Sequence, residues 1–212
     1  MNTPSTKSLI DIERRTLTIV KLGGSLLDLE DLVDSLIVAI ADLELPVVMT
    51  GGGPPADLVR QWNECGLISH REAHQLAVAA MSLNALQLAH TDTRLALVGS
   101  RSEAMEASTC GQIAILDIAR VLPVEQSERR GLPSIPESWD ATSDSIAAWL
   151  ARAWHAELRL LKSASPGTRP DHCVDAWFNR ASQGLSTLTW VNLRASVPEV
   201  SCLPLPLTVV GN

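Results

Sequence analysis

Near its start the chain reads Thr18-Ile19-Val20-Lys21-Leu22-Gly23-Gly24-Ser25, and further on it reads Val47-Val48-Met49-Thr50-Gly51-Gly52-Gly53-Pro54. Each apolar run predicts a buried parallel strand, and each glycine cluster precedes a helix-like segment. Glycine at a strand-to-helix turn lets backbone N–H groups surround an anion where a Cβ would clash. One such turn is weak evidence. Two of them, with Lys21 beside the first, indicate a site that handles phosphate.

Composition limits the class of protein. The chain has 212 residues, of which 46% are hydrophobic and 19% charged, as expected for one globular domain. A formal charge of −7 argues against a general nucleic-acid binder, because no basic stripe is available. The four cysteines show no CxxC spacing, which favours a reducing compartment over disulfides or a zinc site. No secretory signal is visible in Met1–Arg15 and no apolar stretch reaches membrane-spanning length, so we expect a soluble cytoplasmic protein.

Apolar periodicity predicts alternating strands and helices. The predicted strands are Leu17–Leu22, Pro46–Met49, Leu95–Val98, Ile113–Leu116, Leu158–Leu161, Leu188–Val191 and Leu207–Val210. The predicted helices are Leu29–Leu43, Ala56–Glu64, a long helix capped by Ser69 and Glu72 that ends near His90, Asp144–Trp154, and Val174–Ala181. This alternation predicts an α/β fold, a three-layer αβα sandwich with a mostly parallel open sheet. A weak boundary near Arg129–Pro136 divides the single domain into halves at about 1–130 and 131–212.

The glycine clusters match neither of the two commonest nucleotide motifs. A P-loop requires GxxxxGK[ST] and a Rossmann fingerprint requires GxGxxG, and neither occurs in the chain. Two further features accompany the clusters. The first is a helix start that reads Ser143-Asp144-Ser145-Ile146-Ala147-Ala148, and the second is Lys162, which directly follows an apolar strand.

This set of motifs resembles the amino acid kinase superfamily, which includes acetylglutamate, carbamate, aspartate, uridylate and isopentenyl-phosphate kinases. The motifs appear in that family's order and at similar spacing over roughly residues 17–162, which implies a carbamate kinase-like fold. The sequence is also similar to a short branch of this superfamily that phosphorylates an aminomethylfuran phosphate in methanofuran biosynthesis. The matching stretches are Gly51–Arg60, Ala73-His74, Ala80-Met81, Trp139–Asp144 and Leu160–Ser163.

The resemblance implies an ATP-dependent kinase in which Lys21, Asp144 and Lys162 are catalytic. Lys21 would contact the transferred phosphoryl group, Lys162 would neutralise the donor phosphates, and Asp144 would orient both lysines. The implied phosphate and nucleotide contacts are Gly23, Gly24, Ser25 and Ser163. The implied acceptor contacts are Gly51, Gly52, Gly53, Asp57 and Arg60, with the backbone N–H groups of Gly23, Gly24 and Gly52 holding phosphate oxygens. Mg²⁺ would arrive with ATP, so no metal ligand is assigned in the protein.

Each of these residues also has a purely structural interpretation. A lysine at a strand end is usually a solvated charge, and Asp144 in a first helical turn favours the helix dipole. Thr142 or Ser143 is better explained as an N-cap than as a ligand. Asp57 and Arg60 are spaced to form a surface ion pair, and alternatively Arg60 holds an acceptor phosphate and Asp57 an acceptor amine.

The last third of the sequence departs from the family pattern. Relatives place an Asp-Gly turn after the second lysine's strand, whereas here Lys162 is followed by Ser163-Ala164-Ser165-Pro166-Gly167. The first hypothesis is a kinase acting on a phosphate monoester that bears an amine. An acyl-phosphate-forming kinase acting on a carboxylate is the enzymatic alternative, and a non-catalytic nucleotide- or anion-binding descendant is the other. The long helix after Ser69 further predicts at least a homodimer.

Overall fold

The structure is a computed structural model that describes residues 15–128, 131–196 and 200–207. Its strands are β1 (Leu17–Leu22), β2 (Leu45–Thr50), β3 (Leu95–Val98), β4 (Ile113–Leu116), β5 (Glu157–Lys162), β6 (Leu188–Asn192) and β7 (Val200–Cys202). Its helices are α1 (Leu32–Ile40), α2 (Gly53–Glu64), α3 (His70–Thr91), α4 (Arg101–Thr109), α5 (Ile118–Glu128), α6 (Ser143–Ala153) and α7 (Phe178–Ala181). Short 3-10 turns lie at Gly24–Leu26 and Pro170–Cys173.

The seven strands form one sheet in the order β3-β4-β2-β1-β5-β6-β7. All neighbouring strands are parallel except the edge pair β6 and β7. From β1 the chain first builds the sheet towards β3, and it later crosses back to add β5 on the other side of β1. The order therefore reverses between β1 and β5, and ligands of open α/β sheets bind at such a reversal, beyond the carboxyl ends of the strands.

Helices cover both faces of the sheet, which confirms the predicted α/β fold with a mostly parallel sheet. On one face, α1 packs Leu36 and Ile40 against Val20 and Val48. On the other face, α6 is almost wholly buried and packs against alternate residues of β1 and β5. Because α6 starts at the carboxyl edge of the sheet, its first turn lies beside the ends of those two strands.

Several elements differ from the sequence prediction. Helices α4 and α5 were not predicted. The α4 segment is short and follows Gly99, and the α5 segment contains Pro123, so both sequences look like loops. The predicted helix Val174–Ala181 is wrong for its first half, since only Phe178–Ala181 is helical. Strand β7 was also not predicted. Leu207 is not in a strand, and the rest of the predicted strand Leu207–Val210 lies outside the described residues, as do Met1–Arg14 and Arg129–Arg130.

The long helix α3 begins as its sequence predicts. Ser69 is its N-cap, and its side chain accepts a hydrogen bond from the Glu72 N–H while the Glu72 side chain accepts one from the Ser69 N–H. This capping box satisfies N–H groups that a helix start otherwise leaves unpaired. The helix exposes Leu76, Leu83 and Leu86, which suits a contact with a second subunit, and the homo-oligomer stays a prediction.

The two glycine clusters meet at the carboxyl edge of the sheet. The Gly51 N–H donates to the Leu22 carbonyl at 2.7 Å, so the turn after β2 is tied to the end of β1. A Cβ on Gly24 would lie 2.6 Å from the Gly53 Cα, and one on Gly51 would lie 2.7 Å from the Gly24 nitrogen. The buried Asn84 of α3 fixes the second turn by donating to the carbonyls of Gly51 and Gly52, each at 2.8 Å. Backbone contact this close requires glycine at these positions.

We predict that Gly24→Ala destabilises the fold because its new methyl group has no room beside Gly53. The expected loss is about 1–3 kcal/mol in the free energy of unfolding, measured by urea denaturation. Gly131→Ala is the matched control, since a Cβ at that position meets no atom within 4 Å. Equal stability of Gly24→Ala and Gly131→Ala would contradict the close packing of the two turns.

Candidate active site

Strand alternation directs the side chains of Lys21 and Lys162 towards α6. Successive side chains of a strand point to opposite faces. On β1, Leu17 and Ile19 belong to the core beneath α6, and Lys21 continues that series. On β5, Leu158 and Leu160 belong to the same core, and Lys162 continues that series. Since Leu160 pairs with Lys21 in the sheet register, the two lysines end adjacent strands on one face.

Asp144, the second residue of α6, bridges the two lysines. The Lys21 Nζ lies 2.9 Å from Asp144 Oδ1, and the Lys162 Nζ lies 2.6 Å from Asp144 Oδ2. Lys21 is 4% exposed and Asp144 is 5% exposed. The structure thus brings together the three residues that the sequence singles out, while their roles in catalysis stay a prediction. The interpretation of Lys21 as a solvated charge is therefore wrong, and Asp144 does lie in a first helical turn.

The buried cluster changes the proton affinities of its members. Burial alone would raise the pKa of Asp144, but Lys21 and Lys162 outweigh burial and lower that pKa. Burial lowers the pKa of Lys162 and Lys21 lowers it further, while Asp144 and Asp175 oppose the shift. Asp144 neutralises one of the two ammonium groups, and the charge of Asp175 also acts on Lys162. The Lys21 ammonium group lies next to the first glycine turn, where a cation suits an anionic ligand.

Lys162 also contacts two residues that follow it in the chain. Its Nζ donates to the Cys173 carbonyl at 2.9 Å, and it lies 5.3 Å from the centre of the Trp190 ring. The Trp190 ring is buried, and its Nε1 donates to the Ala164 carbonyl. The loop after β5 therefore closes over Lys162, which the sequence did not indicate.

The first turn of α6 is capped from outside the helix. Thr142 is the N-cap residue as the sequence allows, but its side chain does not cap the helix. The Asp175 carboxylate instead accepts hydrogen bonds from the N–H groups of Thr142, at 2.9 Å, and Ser145, at 3.1 Å. The N-cap role predicted for Thr142 or Ser143 is thus met by a distant acidic residue.

A cleft of about 710 Å³ opens beside the glycine turns on the α2 and α3 side. Its walls include six residues that the sequence assigns to phosphate or acceptor binding, namely Gly24, Ser25, Gly52, Gly53, Asp57 and Arg60. It extends to Thr142 and Ser143, the residues before Asp144. Lys21, Lys162, Gly23, Gly51 and Ser163 are not in the cleft wall. The Ser163 hydroxyl nevertheless accepts a hydrogen bond of 3.0 Å from the Ser25 hydroxyl, so the two serines lie together.

The glycine N–H groups divide into two sets. Those of Gly23 and Gly51 are used inside the protein, since Gly23 donates to the Leu161 carbonyl at 2.9 Å and Gly51 donates to Leu22. The expectation that the Gly23 N–H holds a phosphate oxygen is therefore wrong in this conformation. The N–H groups of Gly24, Gly52 and Gly53 have no acceptor among the described residues, and all three glycines line the cleft. Gly53 also begins α2, so the positive end of that helix dipole faces the cleft.

Arg60 stacks on an aromatic ring and does not pair with Asp57. Its guanidinium carbon lies 4.1 Å from the centre of the Trp139 ring, and Trp139 is held by a 3.0 Å hydrogen bond from its Nε1 to Asn63 Oδ1. Within the described part of the chain, Arg60 forms no ion pair. The alternative of an Asp57–Arg60 surface pair is therefore wrong. The flat face of Arg60 is fixed while its N–H donors stay available.

His74 lies in the wall of the same cleft. Burial lowers the pKa of His74, and the nearby Glu137 opposes that shift only in part. The imidazole is therefore neutral near pH 7, where it offers one donor and one acceptor to a ligand and no charge.

Comparison with known proteins places these features in a family. The sequence pattern of the amino acid kinase family matches residues 16–167, well over half of the chain. The chain belongs to the amino acid kinase family. The match spans both glycine turns, Asp144 and Lys162. No curated protein matches the sequence significantly.

Two solved structures that align with the chain are a UMP kinase and a uridylate kinase. The UMP kinase from Bacillus anthracis aligns with a TM-score of 0.56 and 14% identity over 86% of this chain and 89% of that chain. The uridylate kinase from Archaeoglobus fulgidus aligns with a TM-score of 0.48 and 22% identity over 69% of this chain. The chain covers 64% of the latter protein, which is less than two thirds of its length. The Bacillus anthracis structure supports the shared fold.

Sequence reasoning missed several residues that shape the site in this family member. Asn84 left no sequence signal because a single asparagine within an Ala- and Leu-rich helix looks like any polar position. Arg194 donates to the Ser25 carbonyl at 2.7 Å and pairs with Asp28 at 2.5 Å, so it joins the end of β6 to the first glycine turn.

The described residues give three further facts about this kinase family member. No group of three or more His, Cys, Asp or Glu side chains within them is placed to hold a metal ion. None of the helices they form has the length and apolar content needed to cross a membrane. All four cysteines are free thiols on the surface.

We predict that Asp144→Asn strongly destabilises this fold because it removes the carboxylate that the buried Lys21 and the partly buried Lys162 share. The expected loss is about 3–5 kcal/mol in the free energy of unfolding at pH 7. The folded-state pKa of Asp144 is lowered, so its contribution is present above the ordinary carboxyl pKa and is lost as pH falls through the folded-state value. The difference between wild type and variant should therefore shrink in acid.

Asp28→Asn is the matched control for this measurement. Asp28 also pairs with a cation, Arg194, but its side chain is 73% exposed. Its loss should cost less than about 1 kcal/mol. An Asp144→Asn variant as stable as Asp28→Asn would contradict the buried bridge.

Proposed function

We propose that the chain is an ATP-dependent kinase that transfers the γ-phosphoryl group to a phosphate monoester bearing an amine. Family membership supports a kinase-type phosphotransferase. The observation that carries the proposal further is a set of three N–H groups, on Gly24, Gly52 and Gly53, that have no acceptor among the described residues and lie in a cleft that also holds the stacked Arg60. A cation and an N–H cradle in one cleft fit an acceptor with its own phosphate.

The proposed transfer needs little covalent work from the protein. An anionic oxygen of the acceptor phosphate attacks the γ-phosphorus, the bond to the β–γ bridging oxygen breaks, and ADP leaves with the electron pair. The products are ADP and a diphosphate, and no proton has to be removed from the acceptor. Lys21 and the glycine N–H groups stabilise the charge on the transferring group, and Lys162 stabilises the charge on the leaving ADP. Mg²⁺ is proposed to enter with the nucleotide and to neutralise its phosphates.

Recognition of the acceptor is assigned to one wall of the cleft. Arg60 is proposed to hold the acceptor's own phosphate through its free N–H donors. Asp57 lies one helical turn earlier on α2 and in the same wall, where its carboxylate fits an ammonium group. An aminomethylfuran phosphate has both groups and a flat ring, and it is the acceptor we propose.

A carboxylate acceptor is the enzymatic alternative, giving an acyl phosphate. The glycine N–H groups alone could hold a carboxylate, so this alternative leaves Arg60 without a role. A non-catalytic nucleotide- or anion-binding descendant is the other alternative. It is favoured by the missing Asp-Gly turn and by the Cys173 carbonyl, which already occupies one donor of Lys162. The buried bridge of Asp144 speaks against it, because holding two ammonium groups out of water is costly without a ligand to use them.

The direct test is turnover of MgATP with an aminomethylfuran phosphate, with UMP and with a simple carboxylate such as glutamate. The proposal predicts ADP formation that depends on the phosphorylated amine. In Lys162→Met, kcat should fall by about 10²-fold or more with a smaller change in KM, because this cation acts mainly in the transition state. Binding of ATP without turnover of any acceptor would favour the non-catalytic alternative.

We further predict that Arg60→Ala raises the KM of a phosphorylated acceptor without affecting the KM of ATP. Loss of one charge-assisted contact is worth about 2–3 kcal/mol, or roughly 30- to 150-fold. Arg101→Ala, which removes an exposed arginine outside the cleft, is the control. An equal loss for phosphorylated and unphosphorylated acceptors would show that Arg60 does not read the phosphate.

A further inference from the structure

The loop after β5 carries an acidic residue back to the start of α6. The Asp175 carboxylate accepts four hydrogen bonds there, from the N–H and hydroxyl of Thr142 and from the N–H and hydroxyl of Ser145. Three of these measure 2.9, 2.8 and 3.1 Å. A carboxylate that ties the N-cap residue to the third helical residue fixes the backbone of the first turn.

Asp144 lies between the two residues that Asp175 holds. Its side chain must place one oxygen on each of two lysines that come from different strands. Both contacts are short ion pairs, one from each carboxylate oxygen. A small rotation of the first turn of α6 would therefore lengthen or break at least one of them. The position of the bridging carboxylate therefore depends on the cap.

The same loop also contacts Lys162 directly. Cys173 accepts a hydrogen bond from the Lys162 Nζ through its carbonyl, two residues before Asp175. The Trp177 N–H donates to the Asp140 carbonyl at 2.9 Å, which closes the loop onto the segment that precedes α6. Residues 173–177 therefore hold both members of the Lys162–Asp144 ion pair, in a chain that lacks the family's Asp-Gly turn after Lys162.

We infer that Asp175 is a positioning residue of the phosphoryl-transfer site, which caps α6 so that Asp144 bridges Lys21 and Lys162 and which keeps a negative charge close to Lys162. This inference rests on the proposed kinase function. The charged groups around Lys162 are Lys21 on β1, Asp144 on α6 and Asp175 on the loop. Burial and Lys21 lower the pKa of Lys162, and Asp144 and Asp175 raise it, so removal of the Asp175 charge should lower that pKa further.

The lysine content of the chain allows a direct test. The chain contains three lysines, Lys7, Lys21 and Lys162, so protein labelled with ¹³Cε-lysine gives three resonances. The resonance that is missing from the spectrum of Lys21→Met or of Lys162→Met identifies the signal of that lysine. In Asp175→Asn the amide oxygen can still accept from the N–H groups of Thr142 and Ser145, so the fold is kept while the charge is lost. We expect the titration midpoint of Lys162 to move to lower pH and kcat to fall about 10- to 100-fold, with KM values changed less than about threefold.

Asp171→Asn is the matched control, because it removes the same charge from the same loop at a residue whose ion-pair partners, within the described part of the chain, are Arg169 and His172. It should change neither the Lys162 titration nor kcat. An unchanged Lys162 titration and kcat in Asp175→Asn, or the same changes in Asp171→Asn, would overturn the inference. If Asp175→Asn does not fold, Asp175→Glu decides: it keeps the charge but displaces the cap, so wild-type kcat in that variant would overturn the positioning role.

The proposed kinase function and the role inferred for Asp175 can be contradicted independently of each other. Wild-type protein that turns over no acceptor contradicts the kinase, and the Lys162 titration then decides the role of Asp175 alone. In that case a downward shift in Asp175→Asn, absent in Asp171→Asn, still supports Asp175 as the residue that sets the charge at Lys162, whereas no shift overturns it.

Discussion

A buried carboxylate that bridges a buried lysine and a partly buried one is the constraint on which the site depends. Charges taken out of water are costly when they are alone, and Asp144 makes the burial of Lys21 and the partial burial of Lys162 tolerable. The cluster holds two ammonium groups at the carboxyl edge of the sheet, and the charges of Asp144 and Asp175 oppose theirs. The backbone around it supplies further positive character through the start of α2 and the free N–H groups of the glycine turns. An anion with several negative oxygens is the ligand that we propose for this site.

The fold supplies this arrangement through a few simple rules. Strand alternation puts Lys21 and Lys162 on the α6 face, and the reversal of strand order makes β1 and β5 neighbours. The close approach of Gly24 to Gly53 joins the two turns into one surface. The cap from Asp175 then fixes the helix start that carries the bridging acid. Local sequence determines each part, but only the sheet order brings the parts within contact distance.

Most of the fold and the core of the site follow from local sequence patterns. Six of the seven strands and the long helix α3 have clear apolar periodicity, and the glycine clusters with Lys21 mark the carboxyl edge of the sheet. The sequence does not show contacts made by residues far apart in the chain. Asp175 lies 33 residues after Thr142, and the Arg60–Trp139 stack joins α2 to the loop before α6. The occupied N–H of Gly23 was missed for the same reason, because its acceptor lies on β5.

The central claim is that Lys21 and Lys162 together contact the phosphates of a nucleotide. The most direct measurement is the ¹³Cε-lysine spectrum of the wild-type protein during a titration with MgATP. The account predicts that the resonances of Lys21 and Lys162 both move with one saturable dissociation constant, while that of Lys7 stays in place. Binding of MgATP, shown independently by calorimetry, that leaves both site lysines unperturbed would contradict the account.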